Sequence, residues 1–224
     1  MSTLTLTQQL FDRLLATGVV GSQGKTVFEL NGIQTPIMDA SVVGNIIQEW
    51  LSAYMRREKI AFRTIDNSQE FPDFLMHPTD NFNELLEVKC FQKSPNFDVA
   101  NFSAYCRSLA SAPYRLDADY LIFKYEPSQD GILIKNIWLK KVWQICSASE
   151  RAALKIQWKQ NAAFNIRPAT WYAKKPQYTV FSTRLEFVLA LKTVLDTSPI
   201  GGDWRKNWLQ TVSSLYFQQT GQAL

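Results

Sequence analysis

Two short β-prone runs, Phe71–Met76 and Leu85–Phe91, each carry charge inside an otherwise apolar stretch, and no other feature constrains the fold of this chain as strongly. Between them lies His77-Pro78-Thr79-Asp80-Asn81-Phe82-Asn83. Its Pro, Asp and Asn residues favour turns, so the pattern predicts a hairpin. Residues i and i+2 of a strand face the same way, which sets Glu87 and Lys89 side by side. Pairing of the two runs would bring Asp73 to the same end of the sheet. Two carboxylates and one ammonium would then share a small volume.

The flanking patterns fit an α/β chain. Residues 3–17 read as a helix, and residues 25–37 as a strand pair or a strand with a turn at Asn31-Gly32. Val43, Ile46, Ile47, Trp50, Leu51 and Tyr54 recur at helical spacing over 42–58, with Ser41 as N-cap. A strand or loop is expected at 60–65. Asp98 reads as the N-cap of a helix bearing Val99, Phe102, Cys106 and Leu109, which Pro113 ends. Strands follow at 118–125 and 132–137, and residues 138–182 fit no clear pattern. Thr183-Arg184-Leu185-Glu186 has capping-box spacing and opens a helix to about Leu195. A last helix carries Trp204, Trp208, Val212 and Leu215. This order predicts one α/β domain over residues 1–224, with a mixed β-sheet core flanked by helices.

Charge is unevenly spread. Residues 1–130 hold 11 Lys and Arg against 16 Asp and Glu, whereas residues 131–224 hold 13 against 4. The basic part, from about residue 138, suits a polyanion, and the acidic part suits a divalent cation. A solvated basic surface is the plainer alternative. A single histidine, His77, argues against a His-rich zinc site. The three cysteines show no metal-ligand spacing and read as reduced, buried thiols of a cytoplasmic protein. No run approaches the ~18 apolar residues of a membrane span, and the first residues lack secretory-signal character.

The Asp73, Glu87 and Lys89 set suits phosphodiester hydrolysis. Hard oxygen donors hold Mg²⁺, which activates water and offsets charge on the phosphate. A nearby lysine can position the water and stabilise the transition state. The spacing alone is weakly specific, since Asp73 could be a turn residue and Glu87/Lys89 a surface pair. Apolar strands around the motif, Glu49 on the preceding helix and the basic second part favour the catalytic reading.

Pro72-Asp73 and Glu87-Val88-Lys89 resemble the signature of PD-(D/E)XK nucleases. Gln48-Glu49-Trp50 is similar to the segment that adds a helix carboxylate in that family, which makes Glu49 a further candidate for metal binding beside Asp73 and Glu87. Five segments (43–50, 71–74, 97–102, 113–123 and 137–143) resemble the NgoBV-like type II restriction endonucleases. The resemblance implies a restriction-endonuclease-like fold and Mg²⁺-dependent cleavage of double-stranded DNA. It further implies a short palindrome, GGNNCC, with 5′-phosphate products and a cognate DNA methyltransferase, and a palindromic site in turn suggests a homodimer with one active site per strand. Lys140, Lys141, Asn165, Arg167, Lys174 and Lys175 are the DNA-contact candidates by chemistry. A repair or recombination nuclease, and a DNA- or partner-binding domain with a fossil site, are the competing expectations.

Overall fold

Helical and strand periodicities convert into fifteen named elements among the residues described by this computed structural model, 4–37, 39–65, 71–129, 131–199 and 201–224. In chain order these are α1 (Leu6–Ala16), β1 (Gln23–Lys25), β2 (Val27–Leu30), β3 (Ile33–Pro36), α2 (Ala40–Arg57), β4 (Phe74–Leu75), β5 (Leu85–Phe91), β6 (Ala100–Asn101), α3 (Phe102–Leu109), β7 (Asp119–Ser128), β8 (Gly131–Lys141), β9 (Ile156–Lys159), β10 (Ala162–Ile166), α4 (Arg184–Thr197) and α5 (Trp208–Thr220). The chain forms two compact units. The first comprises residues 1–95 and 118–140, the second residues 96–117 and 141–224.

The first unit is built on a mixed five-stranded sheet of order β1-β8-β7-β5-β4. Strands β5 and β7 run parallel, with Glu87 opposite Tyr120 and Lys89 opposite Ile122. Parallel neighbours need a long crossover, and residues 92–118 supply it. Helices α1 and α2 bury Leu10, Leu14, Val43, Ile47 and Leu51 in one cluster with Phe74, Leu86, Val88, Leu121 and Phe123. Alternation along β5 turns Glu87 and Lys89 to the other face. The β2–β3 hairpin turns at Asn31-Gly32, both at positive φ (52° and 76°), as a tight two-residue turn requires. Asp39 stands before α2 and accepts the Val42 N–H at 3.3 Å; the side chain of Ser41, the expected cap, lies outside the described residues.

In the second unit a three-stranded sheet, β6-β10-β9, accompanies α3, α4 and α5. Helix α3 starts at Phe102, later than expected, because the Asn101 carboxamide caps it through the Ala104 N–H. Thr183 caps α4 as expected, accepting the Glu186 N–H at 3.1 Å. The fully buried Trp208 donates its indole N–H to the Cys106 carbonyl at 2.7 Å. Trp208→Ala should therefore lose about 3–5 kcal/mol of stability, read as a lower denaturant midpoint. Trp208→Phe, which keeps most packing but strands that carbonyl, should lose about 1–3 kcal/mol.

Two aspartates flank the start of β7, one buried and one half-buried. Asp119 is buried and accepts the Thr7 hydroxyl at 2.6 Å within the first unit. In the second, Asp117 pairs with the Arg184 guanidinium and accepts the Tyr216 hydroxyl at 2.5 Å. Arg184 also lies over the rings of Trp143 and Tyr216, at 5.1 and 4.5 Å. Each carboxylate is satisfied locally, which removes the need for solvent.

Candidate active site

Strand β4 pairs antiparallel with β5 through Phe74–Leu86 and Leu75–Leu85, and the ladder stops there. The next residue back, Asp73, falls opposite Glu87 in this register. Its carboxylate takes over as acceptor, receiving the Val88 N–H at 2.7 Å. A side chain thus completes the hydrogen bonding of β5 where the neighbouring backbone runs out. The β4 strand is held from behind by Arg63, whose backbone exchanges both hydrogen bonds with Leu75 (2.8 and 2.9 Å). The Arg63 guanidinium donates to the carbonyls of His77 (3.1 Å) and Asp80 (2.6 Å). His77 is committed to the turn as well, since its Nδ1 accepts the Asp80 N–H at 2.8 Å. That bond leaves no general-base nitrogen at Nδ1.

On β5 the Lys89 ammonium lies 2.7 Å from Glu87 Oε1, as i and i+2 positions on one face allow. Glu87 is buried, and its second oxygen, Oε2, has no hydrogen-bond partner among the described residues. Asp73 is pushed up to about 7 by burial first and then by the Glu87 charge. The Val88 N–H, the Lys89 charge and the Gln48 side chain act in the opposite direction.

The structure therefore brings Asp73, Glu87 and Lys89 together. It does not bring Glu49 to them. The α2 core positions are Val43, Ile47, Leu51 and Met55, and at 3.6 residues per turn Glu49 points almost directly away from that stripe and is exposed. Glu49 is a candidate only through the resemblance of Gln48-Glu49-Trp50, and helix phase does not support it. Gln48, one position earlier, is the α2 residue that interacts with Asp73. At 100° per residue Gln48 lies on the flank of the Val43–Ile47–Leu51 stripe, about 100° from its centre.

Two acids in repulsion, one with an unsatisfied buried oxygen, are a donor set that fits a divalent cation. Among the described residues no three His, Cys, Asp or Glu side chains form a larger metal-holding group. An ion at Asp73 and Glu87 would therefore keep several waters, as Mg²⁺ does at sites with one or two carboxylates.

The DNA-contact candidates divide by their surroundings. Lys174 and Lys175 are exposed, and Lys140 is half-buried. Lys141 donates to the Asp117 carbonyl at 2.6 Å. Asn165 is buried, and its side-chain amide donates to Gln157 Oε1 at 3.5 Å. Arg167 pairs with Asp98 at 2.9 Å and also bonds the Asn96 carbonyl and the Gln157 side chain.

The family model of the NgoBV restriction endonuclease matches residues 4–224. The chain belongs to the NgoBV restriction endonuclease family. It is 39% identical over 197 residues to the type II restriction enzyme NlaIV of Neisseria lactamica, covering 86% of this chain and 81% of that protein. It is 36% identical over 166 residues to the type II restriction enzyme NgoBV of Neisseria gonorrhoeae, covering 72% and 93% respectively. The solved NlaIV restriction endonuclease shares the fold at a TM-score of 0.89 and 36% identity, over all of this chain and 93% of that one. Membership of the NgoBV family makes this protein a type II restriction endonuclease, a site-specific deoxyribonuclease on a restriction-endonuclease-like α/β fold. The repair-nuclease and fossil-site expectations give way to it, and divalent-metal use follows from the family. No helix among the described residues is long and apolar enough to cross a membrane.

Proposed function

We propose that Asp73, Glu87 and Lys89 form the hydrolytic centre of this NgoBV-family enzyme and that its cofactor is Mg²⁺. The observation carrying this reading is the convergence of Asp73 with the Glu87–Lys89 pair at the end of the β4–β5 ladder. Asp73 and Glu87 would hold the ion, with the unsatisfied Glu87 Oε2 as the readiest donor. Bound there, Mg²⁺ would lower the pKa of a coordinated water and offset negative charge on the scissile phosphate. Lys89, anchored by Glu87 Oε1, would donate to the attacking water or a phosphate oxygen. Carboxylate oxygens as donors favour Mg²⁺ over softer metals.

The substrate of this reading is double-stranded DNA, cut at a short palindrome, GGNNCC, to leave 5′-phosphates. A homodimer would supply one centre per strand. A cognate DNA methyltransferase would shield the genome of the cytoplasm in which the enzyme works. Exposed Lys174 and Lys175 are the phosphate contacts favoured by the surroundings described above. Lys140 is a third, half-buried candidate, while Lys141, Asn165 and Arg167 would have to exchange internal partners for DNA.

Incubation with fully sequenced phage DNA and Mg²⁺ should give discrete fragments whose mapped ends all fall within one palindrome. Scattered ends would overturn the site-specific assignment, and a single motif other than GGNNCC would correct only the target.

A further inference from the structure

One face of the β6-β10-β9 sheet is organised around a single side chain, Gln157. It stands opposite Asn165 in the strand register, and Asn165 stands opposite Asn101, so three carboxamides form a row across the strands. Arg167, two residues after Asn165, falls on the same face. Its guanidinium is tethered from behind by the Asp98 carboxylate at 2.9 Å and by the Asn96 carbonyl. From there it donates to Gln157 Oε1, and the Asn165 amide donates to the same oxygen at 3.5 Å. A guanidinium has donors only, so the Gln157 atom facing it has to be the oxygen. Both lone pairs of that oxygen are then used. Gln157 is nevertheless exposed, and no hydrogen bond among the described residues uses its Nε2. The side chain therefore offers outward two N–H donors and no acceptor.

The strands that carry it project. β6 pairs only with Asn165 and Ile166, so Trp158–Lys159 and Ala162–Ala163 continue beyond it as a two-stranded ribbon. Gln160 and Asn161 close the ribbon, both at positive φ. Lys159 shares the Gln157 face by strand alternation, and its ammonium lies 5.1 Å from the centre of the Phe164 ring. Residues 151–184 contain seven Lys and Arg and no Asp or Glu, a composition suited to a polyanion. A two-stranded ribbon fits the major groove of B-DNA.

Resting on the reading of a double-stranded target that contains guanine, we infer that Gln157 contacts the edge of a guanine in the major groove, and that Asn165 and Arg167 position it without touching the bases. Guanine shows two acceptors there, N7 and O6. Adenine shows the N7 acceptor beside the N6 amine. An unconstrained glutamine reads adenine by pairing its own oxygen with that amine. Here the oxygen is already taken, so a donor would meet a donor. The two neighbours thus turn an adenine-reading side chain into a guanine-reading one.

Fluorescence-anisotropy titration of short duplexes with the full chain, Ca²⁺ replacing Mg²⁺ to prevent cutting, tests this separately from cleavage. The duplex carries the motif mapped by the phage digest, or GGNNCC should the wild type cut nothing. Replacing one guanine of each half-site by 7-deazaguanine, which removes only the N7 acceptor, should weaken wild-type binding about tenfold or more at one position. Q157A should bind the unmodified duplex about tenfold or more weakly, and should lose less than about threefold further on that replacement. Q157E keeps the shape and the bonds from Arg167 and Asn165 but donates nothing. Its ratio of specific to nonspecific affinity should fall about tenfold or more, with unchanged circular dichroism. A residue that merely braced Arg167 would tolerate that change. N165A, which frees one lone pair of the oxygen, should lower the preference for guanine over adenine at that position about fivefold. No penalty from 7-deazaguanine at any guanine of the site would overturn the contact, and that outcome needs no variant to fold. An equal penalty in wild type and Q157A, or a mapped motif without guanine, would do the same. An unchanged base preference in N165A would remove its positioning role. Absence of cutting by the wild type would instead count against the hydrolytic centre and leave the binding result to stand alone.

Discussion

Asp73→Asn should cut plasmid DNA at least about 1,000-fold more slowly than the wild type while remaining as stable or becoming more so. The amide is isosteric and can still accept the Val88 N–H that completes the ladder. It lacks the negative charge that holds a cation and offsets the phosphate, a contribution of several kcal/mol to the transition state. It also removes a carboxylate that burial and Glu87 already disfavour in its ionised form. Single-turnover cleavage and thermal melts at pH 8 without metal check both halves. Activity within tenfold of wild type would end the assignment of Asp73. A drop in melting temperature matching the loss of activity would show a purely structural role.

Affinity for the divalent ion should tighten about tenfold per pH unit up to about pH 7 and level off above it. The ion needs Asp73 ionised, and Asp73 is raised to about 7 in the metal-free protein. The effect on folding has the opposite sign. In the unfolded chain this carboxyl returns to about 3.8, so the folded state binds its proton more tightly. The resulting stability is present below pH 4 and is lost as pH rises through 7. At about 1.4 kcal/mol per pH unit, the amount is on the order of 4 kcal/mol. Metal-free wild type should therefore melt progressively lower than Asp73→Asn between pH 4 and 8, and Mg²⁺ should reverse the order. Calorimetric titration from pH 5.5 to 8.5, with buffers of different ionisation enthalpy to count released protons, reads the binding half. A flat affinity profile with no proton release would sink it.

Much of the site was legible because it is local in sequence. The Pro-Asp and Glu-x-Lys runs, the turn residues between them and the i, i+2 rule place the three side chains once a hairpin forms. The Asn31-Gly32 turn and the apolar repeat of α2 are likewise short-range signals. What escaped depends on phase or on distant partners. Glu49 rests on the resemblance of Gln48-Glu49-Trp50 alone, and the helix phase of α2 turns it to the exposed side. The β9–β10 hairpin was missed because its turn uses Gln160 and Asn161 at positive φ (51° and 61°), with no glycine to mark it. The engagement of Arg167 with Asp98, and of Lys141 with the Asp117 carbonyl, joins residues too far apart in sequence for any periodicity to reveal.

The chain passes between its two units three times, after Pro95, Asp117 and Lys140. Neither unit is a contiguous stretch, so trimming from either terminus cannot liberate one intact. Exchange between related genes meets the same obstacle: a single crossover would graft half of one unit onto half of another. Diversification of such an enzyme therefore favours point substitution over wholesale swapping of modules, and a laboratory chimera would need three coordinated joints to transplant the second unit, β9 and β10 together with α3, without residues of the first.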